Sequence, residues 1–285
     1  MFNKLLSIVI PVYNCKETLP TCLNSILSQN FGGFEIILID NGSTDATKAL
    51  CDGYKEKEPR IKVLHIKRDS IAAALNAGIE MASGRYLFFM NATDYIEDGG
   101  LDILETQGEQ RQENYLPDNL WGKLIRRNVL TENDLKFDTD NVWEDEDFCM
   151  SLYVHASTYG DLTDLPHYQH MPHEDTRNPK EWCQKIILTL SKWTSMADLQ
   201  HQRHETVIHY WMAEMYCEEL IPFCGKLTKA EMQAFKHSVD DFAWLMDIRE
   251  NRLDKRIKFL YNIVGAWAVG RLIVVFDNLK SLLRT

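Results

Sequence analysis

Four short clusters in this 285-residue chain bring together side chains that can do chemistry. Pro11, Val12, Tyr13 and Asn14 close one apolar run. Asp40, Asn41, Gly42, Ser43, Thr44 and Asp45 close a second. Asn91, Ala92, Thr93 and Asp94 close a third. Glu144, Asp145, Glu146 and Asp147 then crowd four carboxylates ahead of Phe148. A tyrosine ring can stack on a nucleobase whatever its identity. A carboxylate can hold a hard cation or, when partly buried, take a proton from a hydroxyl. The run of four acids also has a plainer reading, because a helix dipole favours negative charge at its start. His167, His170 and His173 recur at every third position, followed by Glu174 and Asp175. Zinc needs a closed tetrahedral ligand set, and on a strand positions 167 and 170 point to opposite faces. These histidines therefore read as polar lining rather than as a metal cluster.

The elements that must carry the clusters alternate in type. Leu6–Ile10 is an apolar strand stopped by Pro11. Leu19, Cys22, Leu23, Ile26 and Leu27 follow with helical spacing. Phe34–Ile39 is a second strand, and Thr44 or Asp45 can cap a helix reaching Tyr54. Ile61–Ile66 is a third strand. Ser70 caps a helix with Gly84 at its C′ position, and Tyr86–Met90 is a fourth strand. A βαβαβαβ order predicts a parallel sheet with helices on its faces. Such sheets bind ligands beyond the carboxyl ends of their strands, where the first three clusters fall.

Beyond Ile96 the pattern loosens. The polar stretch Glu105–Asn114 reads as a loop or frayed helix. Glu144–Ala156 reads as a helix with Phe148, Leu152 and Ala156 inward, and Leu165–Met171 as a strand. From Pro179 the periodicity is helical, with a break near Gly225 and a cap at Thr228. The expected organisation is an α/β domain over residues 1–175 and an all-helical region over 176–285.

Composition excludes several classes. A chain with 45% hydrophobic and 26% charged residues has enough apolar material for a core, so it is not disordered. A net charge of −11 argues against nucleic acid as a partner. Seven cysteines with no CxxC spacing suit a reduced, cytosolic compartment. The first residues, MFNKLLSIVIPVYN, do not read as a signal peptide. The segment 249–285 differs from the rest: it carries eight Lys/Arg against three Asp/Glu and the apolar run Phe259–Phe276. That combination predicts peripheral contact with a membrane, with a helix packed on the protein as the alternative.

SIVIPVYN (7–14), LSQNFGGFEIILIDNGSTD (27–45) and ALNAGIEMASGRYLFFMNATDYI (74–96) together resemble the nucleotide-sugar domain of bacterial family 2 glycosyltransferases. The resemblance covers residues 5–104 closely and continues loosely through 121–130, 143–148 and 168–170. It implies a Rossmann-like GT-A fold, a mostly parallel sheet with flanking helices. It also implies an inverting transfer from a nucleotide-sugar donor to a glycan or lipid-linked acceptor, in bacterial surface glycan synthesis at the cytoplasmic side of the cell membrane. By the same resemblance Pro11, Val12 and Tyr13 hold the nucleobase, and Asp40 and Asn41 read the base and ribose. The family usually has Asp where Asn41 stands, which leaves the base open among UDP, dTDP and GDP.

The family carries Asp-x-Asp at 91–93, holding Mg²⁺ or Mn²⁺ against the diphosphate. Here Asn91 and Thr93 are neutral. Either Asp94, joined by His170 or His173 and the diphosphate itself, forms a weakened cation site, or the metal is not used and catalysis is slow or lost. Asp145 matches the general base, with Asp147 as its local competitor. A rival reading is a catalytically degenerate protein of the same fold that serves as a binding or assembly partner. A nicotinamide dehydrogenase is disfavoured, since no G-x-G-x-x-G follows the first strand.

Overall fold

The computed structural model describes residues 5–101, 120–121, 123–139, 144–156, 168–169, 178–197, 202–248 and 252–282. The chain divides into two compact units. One comprises Met1–Asp140 with Glu144–His173, and the other comprises Asn141–Trp143 with Glu174–Thr285.

In the first unit, β1 (Leu6–Val12), β2 (Phe34–Asn41), β3 (Ile61–Ile66) and β4 (Tyr86–Phe89) pair in parallel, and β6 (Leu124–Arg126) adds an antiparallel edge, in the order β3-β2-β1-β4-β6. The helices α1 (Leu19–Leu27), α2 (Thr47–Lys57) and α3 (Ile71–Met81) are the crossovers. A second small sheet pairs β5 (Tyr95–Ile96) antiparallel with β7 (Tyr168–Gln169). Two further helices are α4 (Arg127–Glu132) and α5 (Glu144–His155).

Core residues fall on both faces of the sheet, as a doubly covered parallel sheet requires. Ile8, Ile10, Ile36 and Leu38 pack with Leu19, Leu23 and Ile26 of α1. Val9, Ile37, Ile39 and Phe89 pack on the opposite face with Ala72, Ala74 and Leu75 of α3. β1 extends through Pro11, two residues past the last β1–β4 pair. The missing N–H therefore removes no ladder bond on that side.

Three details differ from the sequence expectation. The N-cap of α2 is Ala46 without a side-chain cap, and Asp45 instead accepts a bond from the Thr47 N–H at 2.9 Å. Ser70 does cap α3, accepting from the Ala73 N–H at 3.1 Å. Gly84, however, is not a left-handed C′ residue: a Cβ there would sit 2.7 Å from the Ser7 nitrogen, so this glycine serves the close approach of the α3–β4 turn to β1. In α5 the inward residues are Phe148, Cys149, Met150 and Tyr153, while Leu152 and Ala156 are half-buried. Of the expected strand 165–171 only Tyr168–Gln169 is described, and the stretch 105–114 lies outside the described residues.

The second unit is helical among its described residues. α6 is Pro179–Ala197, α7 is Gln202–Glu214, and a π-helical stretch Met215–Leu220 leads into α8 (Ile221–Lys226). The π geometry has a local cause. Pro222 cannot donate to the carbonyl one turn back, and the Ile221 N–H bonds five residues back, to Tyr216 O. α9 (Lys229–Asp240) opens with a reciprocal capping box between Thr228 and Glu231. A 3₁₀ turn, Ala243–Asp247, precedes α10 (Arg252–Leu282), which bends at Gly265, φ 78°. The helical run breaks near Gly225 as expected, between Lys226 and Lys229, and Gly225 itself lies in the last turn of α8, where a Cβ would come within 2.1 Å of the Gly270 carbonyl carbon. The seven cysteines are free thiols.

The Gly84 contact is with backbone, which cannot swing aside as a side chain could. Gly84→Ala should lower unfolding free energy by about 1–3 kcal/mol, the usual range for overpacking. Urea denaturation followed by circular dichroism measures it, and an unchanged midpoint would show that the turn can shift.

Candidate active site

The carboxyl ends of β1, β2 and β3 are stitched together by side chains. Asn14 sits in the left-handed region, φ 48°. Its carboxamide oxygen accepts the Thr44 N–H at 2.8 Å, and its own N–H donates to Ser43 Oγ at 3.1 Å. The Cys15 N–H donates to Thr47 Oγ1 at 2.9 Å. The loop after β1 is thus fixed to the loop after β2.

Asp40 and Asn41 are both buried. Asp40 Oδ1 accepts the Ser43 N–H at 3.0 Å, and its Oδ2 lies 2.8 Å from His65 Nδ1. His65 Nε2 in turn lies 3.1 Å from Asp52 Oδ1. Burial opposes the ionisation of Asp40, but the bonds from Ser43 and His65 outweigh it and its pKa falls below the ordinary 3.8. Burial likewise opposes the charging of His65, and the bonds to Asp52 and Asp40 outweigh it, so its pKa rises above 6.5.

Asn41 uses its whole amide as a clamp. Its Oδ1 accepts the Asp69 N–H at 2.8 Å, and its Nδ2 donates to Asp69 O at 2.9 Å and Ser70 O at 3.3 Å. Gly42 follows at φ 71°, with the Arg68 nitrogen 2.6 Å from where a Cβ would be. This position needs glycine both for its dihedral and for space.

Tyr13 is 42% exposed, and the Arg68 guanidinium lies over its ring, 3.7 Å from the centroid. Pro11 is half-buried and Val12 is buried beside it. Arg68, His65 and Asp52 are additions that the sequence reading missed. One signal was available: Arg68 lies in the loop after β3, where ligand-binding loops belong; the pairing of His65 with Asp40 appears only in the strand register.

At the end of β4 the neutral pair Asn91 and Thr93 is half-buried. Asp94 is only 1% exposed. Its Oδ2 accepts the Asn91 N–H at 3.1 Å and its Oδ1 accepts from the Thr93 hydroxyl at 3.4 Å. The carboxylate therefore closes its own turn. Among the described residues no group of three His, Cys, Asp or Glu is arranged to hold a metal ion. The described donor set does not fit Mg²⁺ or Mn²⁺: two positions are neutral and the remaining carboxylate is buried in the turn. His170, assigned to this site from sequence, lies outside the described residues, as do His167 and His173.

α5 begins near the end of β4 through an aromatic cluster. Phe148 stacks on Phe137 with centroids 3.8 Å apart, and Phe89, the last residue of β4, meets both rings edge-on. Asn76 of α3 holds the backbone of Phe137 from both sides, at 2.8 and 2.9 Å. On this helix Asp145 is half-buried and Asp147 is 3% exposed.

Residues 7–105 match glycosyl transferase family 2. Over 120 residues the chain is 32% identical to the glycosyltransferase GlyG of Streptococcus pneumoniae, covering 42% of this chain and 40% of GlyG. It is 25% identical over 239 residues to EpsJ of Bacillus subtilis, an uncharacterized glycosyltransferase, covering 64% of this chain and 69% of EpsJ. The chain thus spans less than half of GlyG. In structure it resembles Staphylococcus aureus TarS, residues 1–349, solved in complex with UDP-GlcNAc. The TM-score is 0.71 at 18% identity, over 94% of this chain and 89% of that one. At that identity the likeness shows the fold, a GT-A-like mostly parallel sheet with flanking helices and a helical C-terminal region.

His65 gives the site a pH signature. Since its pKa is raised on folding, its bonds to Asp40 and Asp52 stabilise fully below about pH 6.5, the ordinary value, and the contribution is lost as pH rises through the raised pKa. The urea midpoint of wild type should therefore exceed that of His65→Gln by more at pH 6 than at pH 9. A difference independent of pH would show that His65 stays neutral throughout.

Proposed function

Taking residues 7–105 as a family 2 glycosyltransferase segment, we propose that the chain transfers a sugar from a nucleotide-sugar donor to a hydroxyl acceptor with inversion, in the synthesis of a bacterial surface glycan. The observation that carries this reading is the convergence of an exposed aromatic ring, Tyr13, with three hydrogen-bonded loops at the carboxyl edge of one parallel sheet. In this reading the nucleobase stacks on Tyr13, next to Pro11, Val12 and the corner formed by Asp40 and Asn41. Complexes of TarS with UDP and UDP-GlcNAc make a UDP-sugar the first donor to test. The diphosphate extends toward Asn91, Thr93 and Asp94. Fixed backbone N–H groups can stabilise the charge that develops on the leaving group, while Arg68 lies over the Tyr13 ring on the base side.

Asp145 is the carboxylate we assign as general base. It takes the proton of the acceptor hydroxyl as that oxygen attacks the anomeric carbon. The bond from this carbon to the phosphate oxygen breaks, and the nucleoside diphosphate leaves with the bonding electrons. One displacement inverts the configuration. The preference over Asp147 is one of access, since an acceptor must reach the base. The relatives named above are glycosyltransferases, and nothing in them supports a binding-only protein.

Calorimetric titration with UDP, GDP and dTDP, each with and without Mn²⁺, tests the donor site. One nucleotide should bind, and Tyr13→Ala should weaken it by roughly 1–3 kcal/mol, the value of a base–aromatic stack. Indifference of the wild type to all three would overturn the assignment. Asp145→Asn should lower turnover by roughly 10²–10⁴-fold with donor affinity nearly unchanged. Retained activity in that variant, with Asp147→Asn inactive, would move the base by two residues.

A further inference from the structure

The inner side of α10 is locked onto its own unit. Tyr261, Ala266 and Val269 are buried, and Gly270 meets α8 backbone to backbone: a Cβ there would sit 2.1 Å from Ile221 O. Tyr261 donates to Asp240 Oδ1 at 2.6 Å, and Trp267 Nε1 donates to Leu227 O at 3.0 Å. The opposite side carries large apolar groups in the open. Phe259 is 66% exposed and Ile263 64%, with Leu272, Val275 and Phe276 each above half. Their spacing, 259 to 263 and 272 to 275 and 276, makes one stripe on each arm of the helix, either side of the bend at Gly265.

Exposed apolar groups in such concentration mark an interaction surface. Ile257–Phe276 is long and apolar enough to cross a membrane, with mean hydropathy 1.8. Three features argue that it does not cross. Its inner face is committed to α8, its path bends at Gly265, and Arg271 is exposed within the apolar run. A charged group at the bilayer centre costs a few kcal/mol or more, whereas a helix lying in the interface lets Arg271 reach the headgroups.

Charge selects the occupant. The segment 249–285 holds eight Lys/Arg and three Asp/Glu, a net +5, in a chain of net −11. The remainder is therefore −16 and repelled by an anionic surface, while this segment is attracted. We infer that the outer face of α10 docks in the headgroup layer of an anionic phospholipid membrane, with the helix in the membrane plane.

The test uses the full chain. It is centrifuged with sucrose-loaded vesicles of phosphatidylcholine containing phosphatidylglycerol, and with vesicles of phosphatidylcholine alone. The wild type should sediment with the anionic vesicles, several-fold less with the neutral ones, and less again as salt is raised. Phe259→Ser with Ile263→Ser, and separately Val275→Ser with Phe276→Ser, should each weaken binding about tenfold or more. These side chains face outward, so circular dichroism should be unchanged. Wild type that stays in the supernatant with both vesicles overturns the proposal. So does a wild-type dimer by light scattering that either pair of substitutions turns into monomer, because the stripe would then be a contact between copies. Nucleotide binding is not read in this experiment, and its outcome stands apart from the donor-site assignment.

Discussion

Burial of every residue of β2 leaves Glu35, Asp40 and Asn41 without water, and each must be satisfied by atoms from elsewhere in the chain. At the amino end Glu35 accepts from Ser7 Oγ at 2.8 Å, from the Ser83 N–H at 2.7 Å and from Ser83 Oγ at 2.9 Å, and it pairs with Lys62 at 2.9 Å. Those partners lie on β1, on the turn before β4 and on β3, so one carboxylate ties three neighbours of β2 together. At the carboxyl end Asp40 takes Ser43 and His65, and Asn41 takes Asp69 and Ser70. A buried carboxylate or amide left unpaired costs several kcal/mol. The conformation of the loops that carry the site is therefore set first by what β2 needs, before any ligand arrives.

That order of causes accounts for Asn41. An Asp at this position could accept the Asp69 N–H but could not donate to the two carbonyls that Nδ2 now satisfies; it would set a negative oxygen against them. The amide answers a local hydrogen-bonding demand. The 91–94 turn is parallel. Asn91 and Thr93 are neutral, and Asp94 folds back onto the Asn91 N–H and becomes part of the turn. A buried carboxylate bonded within its own turn is not the open pair of oxygens a hard cation takes.

What could be read from the sequence and what could not divides along physical lines. The four parallel strands and three crossover helices announce themselves because long apolar runs and helical spacing repeat often enough to be seen, and Ser70 and Thr228 because a cap needs a particular side chain at a particular place. β6, with three residues, is too short for any period to show, whereas β7 falls inside the strand expected over 165–171. The strand-end loops were legible as polar clusters, yet the loop after β3 was passed over, since KRDS looks like ordinary solvated charge. Only the parallel register, which sets His65 beside Asp40, gives that loop its place in the site. Gly84 was legible as an indispensable glycine but for the wrong reason, because close approach to Ser7 depends on pairing 77 residues apart.

The run Glu144–Asp147 shows the same limit most sharply. Four consecutive acids look interchangeable, and dipole arguments favour them all. Successive helix positions turn by about 100°, so Asp145 and Asp147 point about 200° apart and meet different surroundings. How deeply each is buried is decided by neighbours, not by the acids. Phe148 stacks on Phe137, Phe137 is held by Asn76, and Phe89 closes the cluster from the end of β4. Once Phe148 is seated, Asp147 is carried inward with it and Asp145 is left half-exposed. An interior aromatic cluster thus packs beside the acidic start of the helix, where Asp147 is buried and Asp145 is half-buried.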